Sequence, residues 1–326
     1  QISFPAVLAM NNKLAQGKTI MAERIQKVLA RAGYGSRRLI ESWIKDGKLQ
    51  VNGVPATLGD QITEKDRVTL EGRPLSSKRI WQQSMPQVLL YHKPVGEVCT
   101  RNDPEGRRTI YQSLPVPEEG RWVSVGRLDL NTSGLIILTT DGELANQLMH
   151  PSNEMDREYA VRVLGEVTSE MMQTLRDGVE LEDGKAHFSD IQPGGGEGAN
   201  SWFHVVIQEG RNREVRRLWE SQGVQVSRLV RLRYGPVIMP NKLKPGRWMM
   251  LEGKELEYLY EEAGLKTKTT KRGSVEKVAA VKDVEVEKTP KSKWPDKPAK
   301  KASPRSRKAD DQPAKRGPRI RGRNDR

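Results

Sequence analysis

A chain of 326 residues with 56 Lys/Arg against 42 Asp/Glu carries a formal net charge of +14. It is long enough for two domains and a tail. Its single cysteine, Cys99, excludes an internal disulfide framework and fits a cytoplasmic, reducing setting. Four scattered histidines show no metal-ligand spacing, and no apolar run reaches the roughly 18 residues needed to span a bilayer.

The charge is unevenly placed. From Lys266 to Arg326 there are 21 Lys/Arg and 8 Asp/Glu, which leaves 35 against 34 in the first 265 residues. Residues 263–326 are rich in Lys, Arg, Pro, Ser and Ala, with Trp294 as their one aromatic, so a disordered basic tail is expected. Such a tail suits a polyanion, meaning nucleic acid, and has no apolar face for a membrane. Cutting it off at about residue 262 should weaken RNA affinity and leave target choice intact. Residues 1–21 read as a disordered arm or as a start assigned upstream of the true one.

Organised sequence begins at residue 22. Ile25, Val28, Leu29 and Ala32 fall on one helical face, with Lys27 and Arg31 on another. Gly33 ends that helix and Ser36 caps the next, whose buried stripe is Leu39, Ile40, Trp43 and Ile44. Arg37 and Arg38 occupy its first turn, where the helix dipole disfavours cations, so an anion is expected beside them. Asn52-Gly53 marks a hairpin and residues 66–70 a further strand. This helix-helix-hairpin unit, residues 22–75, resembles the S4 RNA-binding domain through Ile25-Gln26-Lys27-Val28-Leu29-Ala30, Gly35-Ser36-Arg37-Arg38, Ile44-Lys45-Asp46-Gly47 and Val51-Asn52-Gly53. The resemblance implies RNA contacts from Lys27, Arg31, Arg37, Arg38 and Lys45. Residues 76–87 are polar and read as a linker.

Residues 88–262 are dominated by strand patterns: 88–91, 122–125, 134–140, the alternating 158–163, 202–208 and 227–239. Short helices are expected at 143–150, 171–177 and 213–221. The glycines at 194–198 lack the Gly-Lys-Ser/Thr of a phosphate loop and read as a flexible turn. The expected class is α+β: the small α/β unit, then a mixed, largely antiparallel sheet domain.

Asp129 lies on a loop between two apolar runs, preceded by Arg127 and followed by Asn131-Thr132-Ser133-Gly134. Taken alone, an Asp in such company is a turn-former. Three segments change that reading. Gly126-Arg127-Leu128-Asp129 with Thr132, Gly134-Leu135 and Thr140-Asp141-Gly142 is similar to the catalytic signature of the RsuA/RluB family of pseudouridine synthases. Arg157-Glu158-Tyr159 is similar to its tyrosine segment, and Glu209-Gly210-Arg211-Asn212-Arg213-Glu214-Val215-Arg216-Arg217-Leu218 to its third motif.

The resemblance spans about residues 22–260 and implies a cofactor-independent isomerisation of one uridine in 23S (large-subunit) ribosomal RNA. It assigns Asp129 as nucleophile, with attack on C1′ and deprotonation of C2′ both open at this point, Tyr159 to stacking and proton relay, and Arg216 to pairing with Asp129. Arg101, Arg108 and Arg127 are candidate phosphate contacts beside the site. The expected partner is 23S rRNA or a large-subunit assembly intermediate, met by a monomer with no membrane association. A sister enzyme with another uridine target, or a non-catalytic S4 assembly factor, is the alternative; the joint presence of Asp129, Tyr159 and Arg216 argues against the last.

Overall fold

The computed structural model describes residues 22–82, 85–196 and 200–266; the expected arm at 1–21 and the expected tail from 267 onward lie outside them. The first unit opens with helices Ile25–Arg31 and Arg37–Lys45. Ser36 caps the second, its Oγ accepting from the Leu39 amide at 3.0 Å, an interaction type that contributes about 1 kcal/mol. Ile25, Val28, Leu29, Ile40 and Ile44 close a small core, each such side chain contributing about 1.5–3 kcal/mol on burial. Leu39, expected in that core, is 45% exposed. It sits one residue, or 100° of helix, away from the Ile40–Ile44 stripe, and a core this small reaches only one narrow face.

Asn52 and Gly53 both take positive φ, 53° and 84°, the hairpin turn that joins Leu49–Val51 to Val54–Pro55. The expected linker at 76–87 is partly helical. Ser77–Trp81 forms a helix capped by Ser76. Its Ile80 is 2% exposed and belongs to the first core. Arg79 donates from Nε to Ala32 O at 3.0 Å. The helical unit therefore continues past residue 75. Five residues are too few for a helical period to register in sequence.

The larger unit is built on a nine-stranded sheet. Its main path runs Asp190–Gly195, Asn200–Ile207, Arg157–Leu164, Gln225–Tyr234, Ser133–Thr139, Val88–Lys93, Trp248–Leu251. Val237–Ile238 joins Gln225–Tyr234, and Val123–Val125 joins Ser133–Thr139. Every pairing is antiparallel except that of Ser133–Thr139 with Gln225–Tyr234. Both faces of the central strands are covered. Leu89, Tyr91, Ile136 and Leu138 enter one apolar cluster, while Val88, Leu90, Leu135 and Ile137 enter another. A period of two filled on both sides reads as an unbroken apolar run, which is what residues 135–138 are.

The mixed, largely antiparallel expectation holds. The sequence reading missed the hairpin of Val179–Leu181 with Gly184–Ala186, the strands Asp190–Gly195 and Trp248–Leu251, and the helix Gly253–Glu262. Gly194 and Gly195 end a strand instead of forming a turn; residues 197–199 lie outside the described set.

Candidate active site

Asp129 sits on the loop that connects the antiparallel strands Val123–Val125 and Ser133–Thr139. The loop turns tightly: the Thr132 amide donates to Asp129 O at 3.1 Å. Two buried cations brace it from beneath. Lys93, 0% exposed, donates from Nζ to Asp129 O at 3.1 Å, Thr132 O at 2.8 Å and Pro94 O at 2.9 Å. Arg216, 6% exposed, donates from Nη2 to Asn131 O at 3.0 Å and from Nη1 to Val226 O at 2.9 Å. Carbonyls of Asp129, Asn131 and Thr132 are thus held by charged donors, which make shorter and stronger bonds than neutral ones.

The far side of the loop faces a cavity of about 460 Å³. Asp129, Arg127, Tyr159, Arg157, Arg213 and Arg231 are among its lining residues. Tyr159 is buried on the strand Arg157–Leu164, directly opposite Arg231 in the neighbouring strand. The structure therefore brings Asp129, Arg127 and Tyr159 to one place. The Asp129 carboxylate and the Tyr159 hydroxyl make no hydrogen bond to any described residue, so both are available to a ligand.

Arg216 departs from its expected geometry. It makes no direct ion pair with Asp129: its two Nη groups donate to the Asn131 and Val226 carbonyls, and its buried Nε has no partner among the described residues. Its charge is still felt. Burial and then the Arg213 charge push its pKa below the usual range, and Asp129 pulls it back up. Lys93 shows the same pattern: burial lowers its pKa, and Cys99, Glu97 and Asp129 oppose the shift. Two partly desolvated cations thus flank the Asp129 loop.

The other basic candidates fall into three places. Lys27, Arg31, Arg37 and Arg38 line one groove of about 360 Å³ together with Arg121, Val123 and Met149. Met149 also lines the Asp129 cavity, so groove and cavity adjoin. Lys45 is exposed in the last turn of its helix, outside that groove. Arg101 and Arg108 do not line the Asp129 cavity. Arg101 stacks on Tyr111 at 4.2 Å and donates to Trp122 O, and Arg108 pairs with buried Glu97 at 3.1 Å.

Sequence reasoning missed Lys93 and Arg231. Lys93 falls just past the strand pattern at 88–91, and Arg231 lies inside the strand pattern at 227–239. Among the described residues, no group of three or more His, Cys, Asp or Glu side chains could hold a metal ion. No helix among them is long and apolar enough to cross a membrane.

The sequence profile of the S4 domain matches residues 23–68, and that of RNA pseudouridylate synthase matches residues 87–221, the span that holds both Asp129 and Tyr159. The chain is 56% identical over 258 residues to the ribosomal large subunit pseudouridine synthase B of Pseudomonas aeruginosa, covering 79% of this chain and 67% of that one. The chain belongs to the RNA pseudouridylate synthase family. A second pseudouridine synthase of the same printed name, from Salmonella typhi, is 52% identical over 79% of this chain and 89% of its own length. A solved pseudouridylate synthase superposes with a TM-score of 0.51 at 27% identity, covering 72% of this chain and 99% of that one. As a pseudouridine synthase, the chain is an enzyme whose reaction moves uracil from N1 to C5 attachment on the same ribose.

Proposed function

We propose that this pseudouridine synthase isomerises a uridine of large-subunit (23S) ribosomal RNA, with Asp129 acting on C1′ of an extruded nucleotide. The observation that carries the reading is the free Asp129 carboxylate sharing a cavity with Tyr159 in a chain 56% identical to a ribosomal large subunit pseudouridine synthase B.

Detaching uracil leaves an electron-poor C1′, and a carboxylate can add to it as in retaining glycosidases. Uracil then turns and rejoins through C5, whose proton leaves; no atom is gained or lost, so the chemistry requires no cofactor. A base inside a helix cannot reach Asp129. Extrusion costs a few kcal/mol, of which stacking on an aromatic ring such as Tyr159 returns about 1–3 kcal/mol. A neutral phenol is a weak base, so a role in stacking and proton relay suits Tyr159 better than proton abstraction alone. Arg216 acts through the loop: it holds Asn131 and adds positive potential. Arg127 at the cavity and the groove of Lys27, Arg31, Arg37 and Arg38 supply phosphate contacts, with Lys45, Arg101 and Arg108 as outlying ones. The substrate is the RNA itself or a large-subunit assembly intermediate, bound by one copy of the chain in the cytoplasm.

The test is pseudouridine mapping of ribosomal RNA from a strain lacking the gene, complemented with wild type or Asp129→Asn. Wild type should restore one large-subunit site and Asp129→Asn none. Restoration by Asp129→Asn would remove Asp129 from the chemistry, and a small-subunit site would move the target.

A further inference from the structure

Arg231 is a buried cation with a donor that no described residue meets. It is 2% exposed and lines the Asp129 cavity. Among the described residues only one of its five N–H groups is used: Nε donates to Leu135 O at 2.8 Å. Nη2 is buried with no partner, and among the described residues Nη1 makes no hydrogen bond and no carboxylate forms an ion pair with Arg231. Its guanidinium also lies over the Tyr234 ring at 5.1 Å. A buried cation with most of its donors unmet costs several kcal/mol, and proteins keep such groups where a ligand completes them.

The position narrows what that ligand group is. Arg231 is directly opposite Tyr159 in the pairing of Gln225–Tyr234 with Arg157–Leu164, so the two side chains share one face of the sheet. Phosphates of the RNA are charged and hydrated and stay at the mouth, where exposed Arg127 and Arg213 stand. The part of an extruded nucleotide that reaches the buried floor beside Tyr159 is the base.

We propose that Arg231 is a catalytic residue that hydrogen-bonds a carbonyl oxygen of the flipped uracil and stabilises the uracil anion when the glycosidic bond breaks. The assignment rests on the function proposed above. In that step the C1′–N1 bond breaks and its electron pair goes to N1, spreading onto O2 and O4. A carboxylate oxygen of Asp129 forms the new bond to C1′. When C5 attacks C1′, the carboxylate leaves with its electron pair, the C5 proton departs and N1 takes up a proton, so atoms and charge balance. A preorganised donor aimed at charge that develops only in the transition state is the most effective kind of stabilisation. It is also consistent with leaving the guanidinium unpaired in the free enzyme.

The experiment uses the full chain, a large-subunit rRNA transcript and the variants Arg231→Ala and Arg231→Lys. RNA affinity should stay within about threefold of wild type while the single-turnover rate of Arg231→Ala falls by about 10²–10³-fold. Added guanidinium ion should recover part of the Arg231→Ala rate and none of the Asp129→Asn rate. A folded Arg231→Ala with a near-wild-type rate, a loss explained wholly by RNA affinity, or a loss without guanidinium rescue would each overturn the assignment. A structure of Asp129→Asn bound to the RNA decides the matter without altering Arg231. An Nη atom within about 3.2 Å of uracil O2 or O4 supports it; Nη atoms on a phosphate or on no RNA atom refute it. Wild-type turnover separates the two proposals: an inactive wild type refutes the proposed function, whereas an active wild type with an unaffected Arg231→Ala refutes only the role of Arg231.

Discussion

The ammonium of Lys93 holds the backbone carbonyl of Asp129 at 3.1 Å, and the same nitrogen reaches Thr132 O at 2.8 Å. The residue proposed to attack the sugar is therefore aimed by a buried lysine that never faces the cavity. Lys93→Met keeps the volume and removes the charge. Three carbonyls lose a charged donor, each loss worth about 1–3 kcal/mol and not additive; a net destabilisation of about 2–4 kcal/mol is expected from urea unfolding. In the folded fraction, the single-turnover rate should drop more than RNA affinity. Unchanged stability would show that the carbonyls find water instead.

Gly134 meets Arg231 at the one parallel contact of the sheet. Its φ is +113°, and a Cβ there would lie 2.3 Å from Arg231 O and 2.4 Å from Arg231 N. Both atoms are backbone, so neither side chain can yield. Gly134→Ala therefore combines backbone strain of about 1–3 kcal/mol with overpacking of similar size. It should lower stability by at least about 2 kcal/mol and, by parting the strands, shift Arg231 away from Tyr159. Thermal unfolding reads the first effect. A variant as stable as wild type would mean that the two strands separate at no cost.

How much of this was legible beforehand follows from the range of each interaction. The Asp129 loop announced itself locally, with an apolar strand on either side and Asn-Thr-Ser-Gly between. Tyr159, Val161 and Val163 alternated within one strand, and their burial follows from period two alone. Lys93 lies 36 and 39 residues from the carbonyls it holds, and no local pattern marks a lysine as buried. Arg231 shares its strand with Arg228 and Arg233. Only the cross-strand partner distinguishes it: Arg233 meets Glu158 at 3.1 Å, while Arg231 meets Tyr159 and a cavity. The helix Ser77–Trp81 was hidden for a different reason, since its single buried residue, Ile80, offers no period to detect.

Acid should weaken the hairpin that carries Asp183. Hydrogen bonds from Arg217, both at 2.8 Å, hold this carboxyl down at about 2 against an ordinary value of 3.8. A depressed folded pKa means that the unfolded chain binds the proton first. The stability from this pair is therefore complete above about pH 4 and is lost as pH falls toward about 2. Asp183→Asn should unfold at a lower temperature than wild type at pH 6, with the gap narrowing below about pH 4 and closing only as pH falls to about 2 and below. Because the carboxylate is 44% exposed, solvent screens the pair and the gap should be small. A gap that stays constant with pH would assign the difference to packing.

The basic tail should act on affinity and not on target choice, but the cut must fall later than residue 262. Ala263 is 6% exposed and its amide donates to Leu259 O at 3.2 Å, while Leu265 packs partly against the same cluster. Ending the chain at 262 would remove core contacts along with charge. Residues 267–326 carry 20 Lys/Arg against 8 Asp/Glu, and deleting only these leaves the described fold whole. Each phosphate neutralised by the tail adds close to one unit to the slope of log affinity against log salt. The shortened chain should thus bind large-subunit RNA at least about tenfold more weakly at low salt, with a shallower slope and converging affinities at high salt. Pseudouridine should form at the same uridine in both. A shifted target would give the tail a part in recognition, and identical salt slopes would show that it never touches the RNA.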